Sequence, residues 1–265
     1  PREVQQGCTR DFPRPIGHAA ALVPSGVAGL SRVTETHGMN LDTQTTRGPN
    51  LRRIAFMFAL VFAGEAIYGL PFLVARIFRP TLLDVFGITN FQLGTGLSVY
   101  GIVAMAAYMF GGPLADRFSA RGMMTVALFM TAIGGIYYAT VPGMVGLWVM
   151  FAFWGVTTVF LFWAALIRAT RSWGGHESQG KAFGILDGGR GLVAALLATV
   201  TVAVFAALLP GDQALASLEQ RTVALKQVIW IFTGMVCAAG VAVWFCVTNE
   251  NDGEVVDSRS AYSWQ

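Results

Sequence analysis

Charge is what this sequence lacks most. Only 12% of its 265 residues are Asp, Glu, Lys or Arg, against roughly a quarter in an ordinary soluble domain. Soluble helices need a polar face towards water, and most of the apolar runs here have none. Histidine is equally scarce. His18, His37 and His176 all lie in tails or connections, so no axial ligand is available to a haem held among helices. Of the three cysteines, Cys8 lies in the N-terminal region and Cys237 and Cys246 in one apolar run. Their spacing makes neither a disulfide framework nor a metal site, and they read as packing residues. No basic cluster alternates with aromatics, so the net charge of +3 points to loop arginines and not to a nucleic-acid surface. The apolar runs contain no nucleophile–base pair and no metal-ligand cluster, so neither an enzyme nor a cofactor is implied.

What is present is apolar length, with 54% of the residues hydrophobic. A hydrocarbon core of about 30 Å takes roughly 20 helical residues. Six segments reach that length: Ile54–Ala75, Phe91–Gly112, Gly122–Val141, Val145–Ile167, Ala182–Leu209 and Val228–Thr248. The fold class is therefore an all-α membrane protein with six transmembrane helices over residues 51–248. Residues 1–50 are polar and aperiodic, without the apolar stretch and cleavage site of a signal peptide, and read as a disordered tail. Within them Met39 reads as a natural start, with Pro1–Gly38 upstream of it. Residues 249–265 form a polar, acidic tail.

The cations divide unequally between the two ends of these spans. Arg47, Arg52, Arg53, Arg117, Arg121, Arg168, Arg171 and Lys181 share one side with both termini, while Arg76, Arg79, Arg221 and Lys226 lie on the other. The excess predicts that both termini are cytoplasmic. An internal echo accompanies this arrangement. Span one closes with Ala75-Arg-Ile-Phe-Arg79 and span four with Ile167-Arg-Ala-Thr-Arg171. Each is followed by a polar stretch and a glycine-rich helix, near Gly94-Thr-Gly96 and near Gly180-Lys-Ala-Phe-Gly184. Spans one to three and four to six then form two three-helix repeats. Because three is odd, the repeats are inverted in the membrane, an arrangement that places a site at their interface.

Between spans two and three lies the charged stretch Gly112-Pro-Leu-Ala-Asp-Arg-Phe-Ser-Ala-Arg121. Such charges must sit at a water boundary, and the sequence predicts a short loop there. Gly112, Leu114, Ala115, Asp116 and Arg117, followed by Arg121, resemble the signature between spans two and three of the major facilitator superfamily. The family usually has glycine where this chain has Ser119, and a basic residue where it has Ala120. The resemblance covers roughly residues 50–250 and implies transport of a small solute by alternating access. It also implies that Asp116, with Arg117 and Arg121, latches the cytoplasmic side. Family members carry two six-span halves, so the chain is expected to be a fragment or to meet a second six-helix half from another chain. The stretch Trp163–Gly191, with Arg168, Gln179-Gly180 and Asp187-Gly-Gly-Arg190, resembles the branch that carries organic anions, phosphate esters and sugar acids. The basic residue such carriers place within the first span has no counterpart after Tyr68.

The ionisable residues inside the spans are the remaining candidates. Glu65 lies near the middle of span one, where an unpaired carboxylate costs at least about 2.5–3.5 kcal/mol. It is a candidate for proton coupling or substrate binding, or for a protonated contact with a neighbouring helix. Asp187 and Arg190 stand three residues apart on one face of span five and can pair. Arg190 then either binds a substrate anion or belongs to a structural ion pair. Arg168, at the end of span four, either snorkels to the interface or meets substrate. Trp163 and Tyr68 are the aromatic candidates for a cavity wall. Gly180, Gly184 and Gly188 recur every four residues, which predicts a smooth stripe for close helix packing.

Overall fold

A computed structural model describes residues 51–175, 178–209 and 216–248 of the chain, without the side chains of residues 111–116. The N-terminal tail with its Met39 start, Cys8, His176 and the C-terminal tail after Thr248 therefore lie outside the described residues. The described residues are helical, and six helices are long and apolar enough to cross a membrane. Their bounds are Leu51–Ile77, Asn90–Phe110, Ala120–Ala139, Met144–Gly174, Gln179–Leu208 and Leu218–Cys246. We refer to them as spans one to six.

The six predicted segments are all found, but several ends move outward. The helix of span two continues to Arg117, so the expected loop beginning at Gly112 is corrected to a helix with a break at Phe118 and Ser119. Once a helix has left hydrocarbon, continuing it still satisfies its own backbone groups, and charge alone does not end it. Ser119 caps span three by accepting a hydrogen bond from the Gly122 amide at 3.2 Å. Span four runs beyond Ile167 to Gly174, so Arg168 is not its last residue. Span six starts ten residues before the predicted Val228, at Leu218. Its first turn is polar and escapes a hydropathy reading, yet Ser217 and Gln220 close a reciprocal capping box there. A short helix, Arg79–Phe86, follows span one and ends on Gly87 at φ 61°, a left-handed conformation open to glycine.

Packing follows the two-repeat pattern. Span one lies against spans five and six, span four lies against spans two and three, and spans three and six pack on each other. That exchange of partners is what two inverted three-helix units produce about a twofold axis. Contacts between the ends of the spans respect the alternating topology. Arg53 and Trp173 clasp the start of span one to the end of span four, each donating to the other's carbonyl, at 3.1 and 2.8 Å. Arg121 lies over the Trp244 ring at the end of span six. At the opposite end, Arg221 donates to Asp84 at 3.1 Å.

Spans one and four each contain a π-helical stretch, Gly69–Leu73 and Val156–Trp163. Pro71 lies in the first. It lacks the N–H that would close an α-turn, and its ring crowds the carbonyl four residues back. In the second, Thr157 and Thr158 donate to the Trp154 carbonyl at 3.3 and 2.7 Å, a local bond that bends helices. Trp154 is fully buried beside these turns. Its indole donates to the Thr131 carbonyl at 3.2 Å, and its ring meets Tyr138 edge-on at 5.4 Å. Polar groups thus bridge spans two, three and four in pairs, Tyr100 with Thr158 at 2.7 Å and Thr131 with Thr157 at 2.8 Å.

Candidate functional site

Span one and span five approach closely where both carry small residues. A Cβ on Gly189 would stand 2.8 Å from Val61, and a Cβ on Gly64 would stand 3.0 Å from the Cδ of Arg190. The absent side chain at Gly64 is the space through which Arg190 reaches span one. Both spans start at the same end of the bundle. Glu65 lies about 21 Å along its helix and Arg190 about 17 Å along its own, at 1.5 Å per residue. The two charges therefore meet at similar depth.

Arg190 is the centre of the cluster. Its Nε is 3.6 Å from Oε2 of Glu65, and its Nη1 is 3.6 Å from Oδ1 of Asp187. The guanidinium also sits 5.6 Å from the centre of the Tyr68 ring and 5.7 Å from that of Trp163, within reach of a cation–π attraction. The two carboxylates are unequal. The side chain of Glu65 is 11% exposed and that of Asp187 is 69% exposed. The Arg190 Nε is buried and makes no hydrogen bond, so the guanidinium is paired by charge without being saturated. The aromatic wall continues across the bundle, from Trp163 to Tyr68 at 6.4 Å, to Phe72 at 6.0 Å and to Tyr100 at 4.8 Å.

Five of the residues singled out in the sequence therefore come together: Glu65, Tyr68, Trp163, Asp187 and Arg190. Arg168 does not join them. It donates to the Phe118 carbonyl at 3.4 Å, beside the break between spans two and three. Span four carries it one turn past Ala164, towards the charged stretch. In that stretch Arg117 is exposed and Arg121 stacks on Trp244 at 4.8 Å. Gly112 lies within the helical end of span two, and the side chain of Asp116 lies outside the described residues. Gly180, Gly184 and Gly188 make no close helix contact among the described residues. They are exposed and a Cβ on any of them meets nothing within 4 Å. The packing glycine is Gly189, one residue later, because it alone of the group faces span one.

The pairing of Glu65 with Arg190 was not anticipated. Opposite charges at similar depth in separate spans were its available signal, since lone ions in lipid seek partners. Arg190 thus brings a cation from span five to Glu65 and Tyr68 of span one.

A family model described as Major Facilitator Superfamily matches residues 54–261. Among curated proteins, the chain is 30% identical over 217 residues to inner membrane protein YqcE of Escherichia coli K12, covering 81% of this chain and 48% of that protein. It is 28% identical over 208 residues to inner membrane protein YihN of the same organism, covering 78% and 47% respectively. An uncharacterized protein of Mycoplasma pneumoniae is 33% identical over 88 residues, 33% of this chain and 68% of its own length. The chain spans about half the length of the two Escherichia coli relatives. No solved structure matches it.

Proposed function

Because this chain belongs to the major facilitator superfamily, we propose that it forms one six-helix half of an alternating-access carrier for a small anionic solute. The observation that carries the reading is the guanidinium of Arg190, held at membrane depth between Glu65, Asp187 and two aromatic rings. A carboxylate or phosphate ester presents two acceptor oxygens in the geometry a guanidinium fork matches. The incoming anion displaces Asp187, whose exposed side chain is solvated on leaving. Glu65 has less water to turn to, so it releases Arg190 by taking up a proton. Proton and anion then move together, and the reorienting carrier holds no extra charge. Tyr68 and Trp163 form the wall against which the apolar part of the solute lies.

The reading continues at the two ends. Asp116, Arg117 and Arg121 act as the latch that closes the basic end between turnovers, with Arg168 beside them. The arginine excess supports a cytoplasmic position for that end and both termini, in an inner membrane such as the names of the relatives describe. Spans two and five bury only 28% and 11% of their apolar stretches, and a second six-helix half covers these faces. The alternative role is that of a non-transporting membrane partner of another carrier.

The test is uptake into vesicles by the complete transporter bearing these residues, driven by an imposed pH gradient. Anionic and neutral sugars are screened first. Glu65→Gln is expected to abolish gradient-driven uptake while leaving solute exchange intact, and Arg190→Gln to abolish both. Driven uptake that survives E65Q refutes the coupling role. Transport by this chain reconstituted alone refutes the non-transporting alternative.

A further inference from the structure

At the basic end of the bundle, the seam between spans three and six holds a groove of about 330 Å³ lined by Thr125, Phe129, Val241, Trp244 and Phe245. Its aromatic side chains are open to the surroundings, Trp244 at 49% and Phe245 at 79% exposure. One polar residue of its lining, Thr125, and one neighbour of its Trp244 wall, Arg121, carry buried atoms without hydrogen-bond partners. Arg121 spreads its guanidinium over the Trp244 ring at 4.8 Å, and its Nε is buried and unbonded. Thr125 is only 8% exposed, and its hydroxyl is likewise unbonded. The ion pairs recorded among the described residues do not include Arg121.

We propose that this groove binds a membrane glycerophospholipid. The order of groups along the helix matches the order of groups in the lipid. Arg121 lies at the mouth and takes the phosphate through a charge-assisted hydrogen bond. Thr125 is about 6 Å deeper along the helix, and its hydroxyl donates to a glycerol ester carbonyl. Phe129 lies about 6 Å deeper again and, with Val241 across the seam, takes an acyl chain, while Trp244 and Phe245 flank the headgroup at the level of Arg121. A free phosphate occupies Arg121 alone, leaving the Thr125 hydroxyl and the apolar walls unmatched. A packed protein helix fills the walls and brings no anion. Only an amphiphile with an anionic head satisfies both. Basic pockets between spans recognise anionic headgroups, so phosphatidylglycerol, which carries a net negative charge, is the lipid expected to bind.

The experiment is native mass spectrometry of the delipidated chain titrated with phosphatidylglycerol. One retained lipid per chain is expected. Arg121→Gln and Thr125→Val should each weaken retention at least fivefold, and Arg121→Lys less than Arg121→Gln. Arg221→Gln, at the far end, should leave retention unchanged. Equal retention by R121Q and wild type overturns the proposal. Displacement of the lipid by millimolar inorganic phosphate also overturns it, because the site is then one for a free anion. Diacylglycerol with the same chains should bind poorly, and equal binding removes the role of the phosphate. Quenching provides a readout that needs no charge variant. Phosphatidylglycerol brominated on its chains should quench, saturably, a tryptophan component that Trp244→Phe lacks, and the absence of that component refutes the site.

Discussion

The charge cluster makes a quantitative prediction about which carboxylate holds Arg190. Both contacts are 3.6 Å long, so distance does not separate them. Surroundings do. With an effective dielectric constant of about 20 around Glu65, the gross attraction at that distance is about 4–5 kcal/mol, and in the water-like surroundings of Asp187 it is about 1 kcal/mol. Desolvation offsets much of the first figure, and solvent screening removes most of the second. Double-mutant cycles with R190Q should therefore give a coupling of about 1–3 kcal/mol for Glu65 and under about 0.5 kcal/mol for Asp187. The assay is thermal unfolding in detergent, followed by tryptophan emission. At about 2–4 °C per kcal/mol for a chain of this size, E65Q should lower the midpoint by several degrees and D187N by about a degree or less. Coupling to Asp187 as large as coupling to Glu65 would refute the assignment of a buried anchor and an exchangeable partner.

Three further outcomes follow from the packing. Gly64→Val places methyl groups where the Arg190 side chain passes; because that side chain is flexible, the fold should survive while anion uptake falls at least tenfold in a transport assay. Gly189→Val overpacks the contact with Val61 and should cost about 1–3 kcal/mol, whereas Gly184→Ala should leave stability unchanged or raise it by up to about 1 kcal/mol; equal losses in thermal unfolding would contradict the contact. Val141 has φ 57°, a conformation disfavoured for a β-branched residue, so Val141→Gly should raise stability by about 1 kcal/mol in the same measurement.

These outcomes separate the roles of two faces of one helix. Span five turns Gly189 and Arg190 towards span one and leaves Gly180, Gly184 and Gly188 exposed. A substitution on the first face acts on the bundle itself. A substitution on the second acts on whatever covers it, and Gly184→Leu should spare thermal stability of this chain while impairing transport in the complete carrier.

The membrane class, the number of spans and the two-repeat organisation were legible in the chain because they depend on apolar length and on where cations interrupt it. Neither property needs a neighbour to be evaluated. The charged stretch after span two and the candidates Glu65, Asp187 and Arg190 were legible for the same reason, since an ion in an apolar run stands out by itself. Helix ends were less so. Caps such as Ser217 with Gln220 and the continuation to Arg117 are settled by hydrogen bonds that hydropathy does not weigh. Only the tertiary structure decided which residues meet. Glu65 and Arg190 are 125 positions apart in sequence, and their contact depends on the relative rotation and depth of two helices. A single-residue difference in facing made Gly189 and not Gly188 the position that meets span one, because each helical residue turns about 100° from the last.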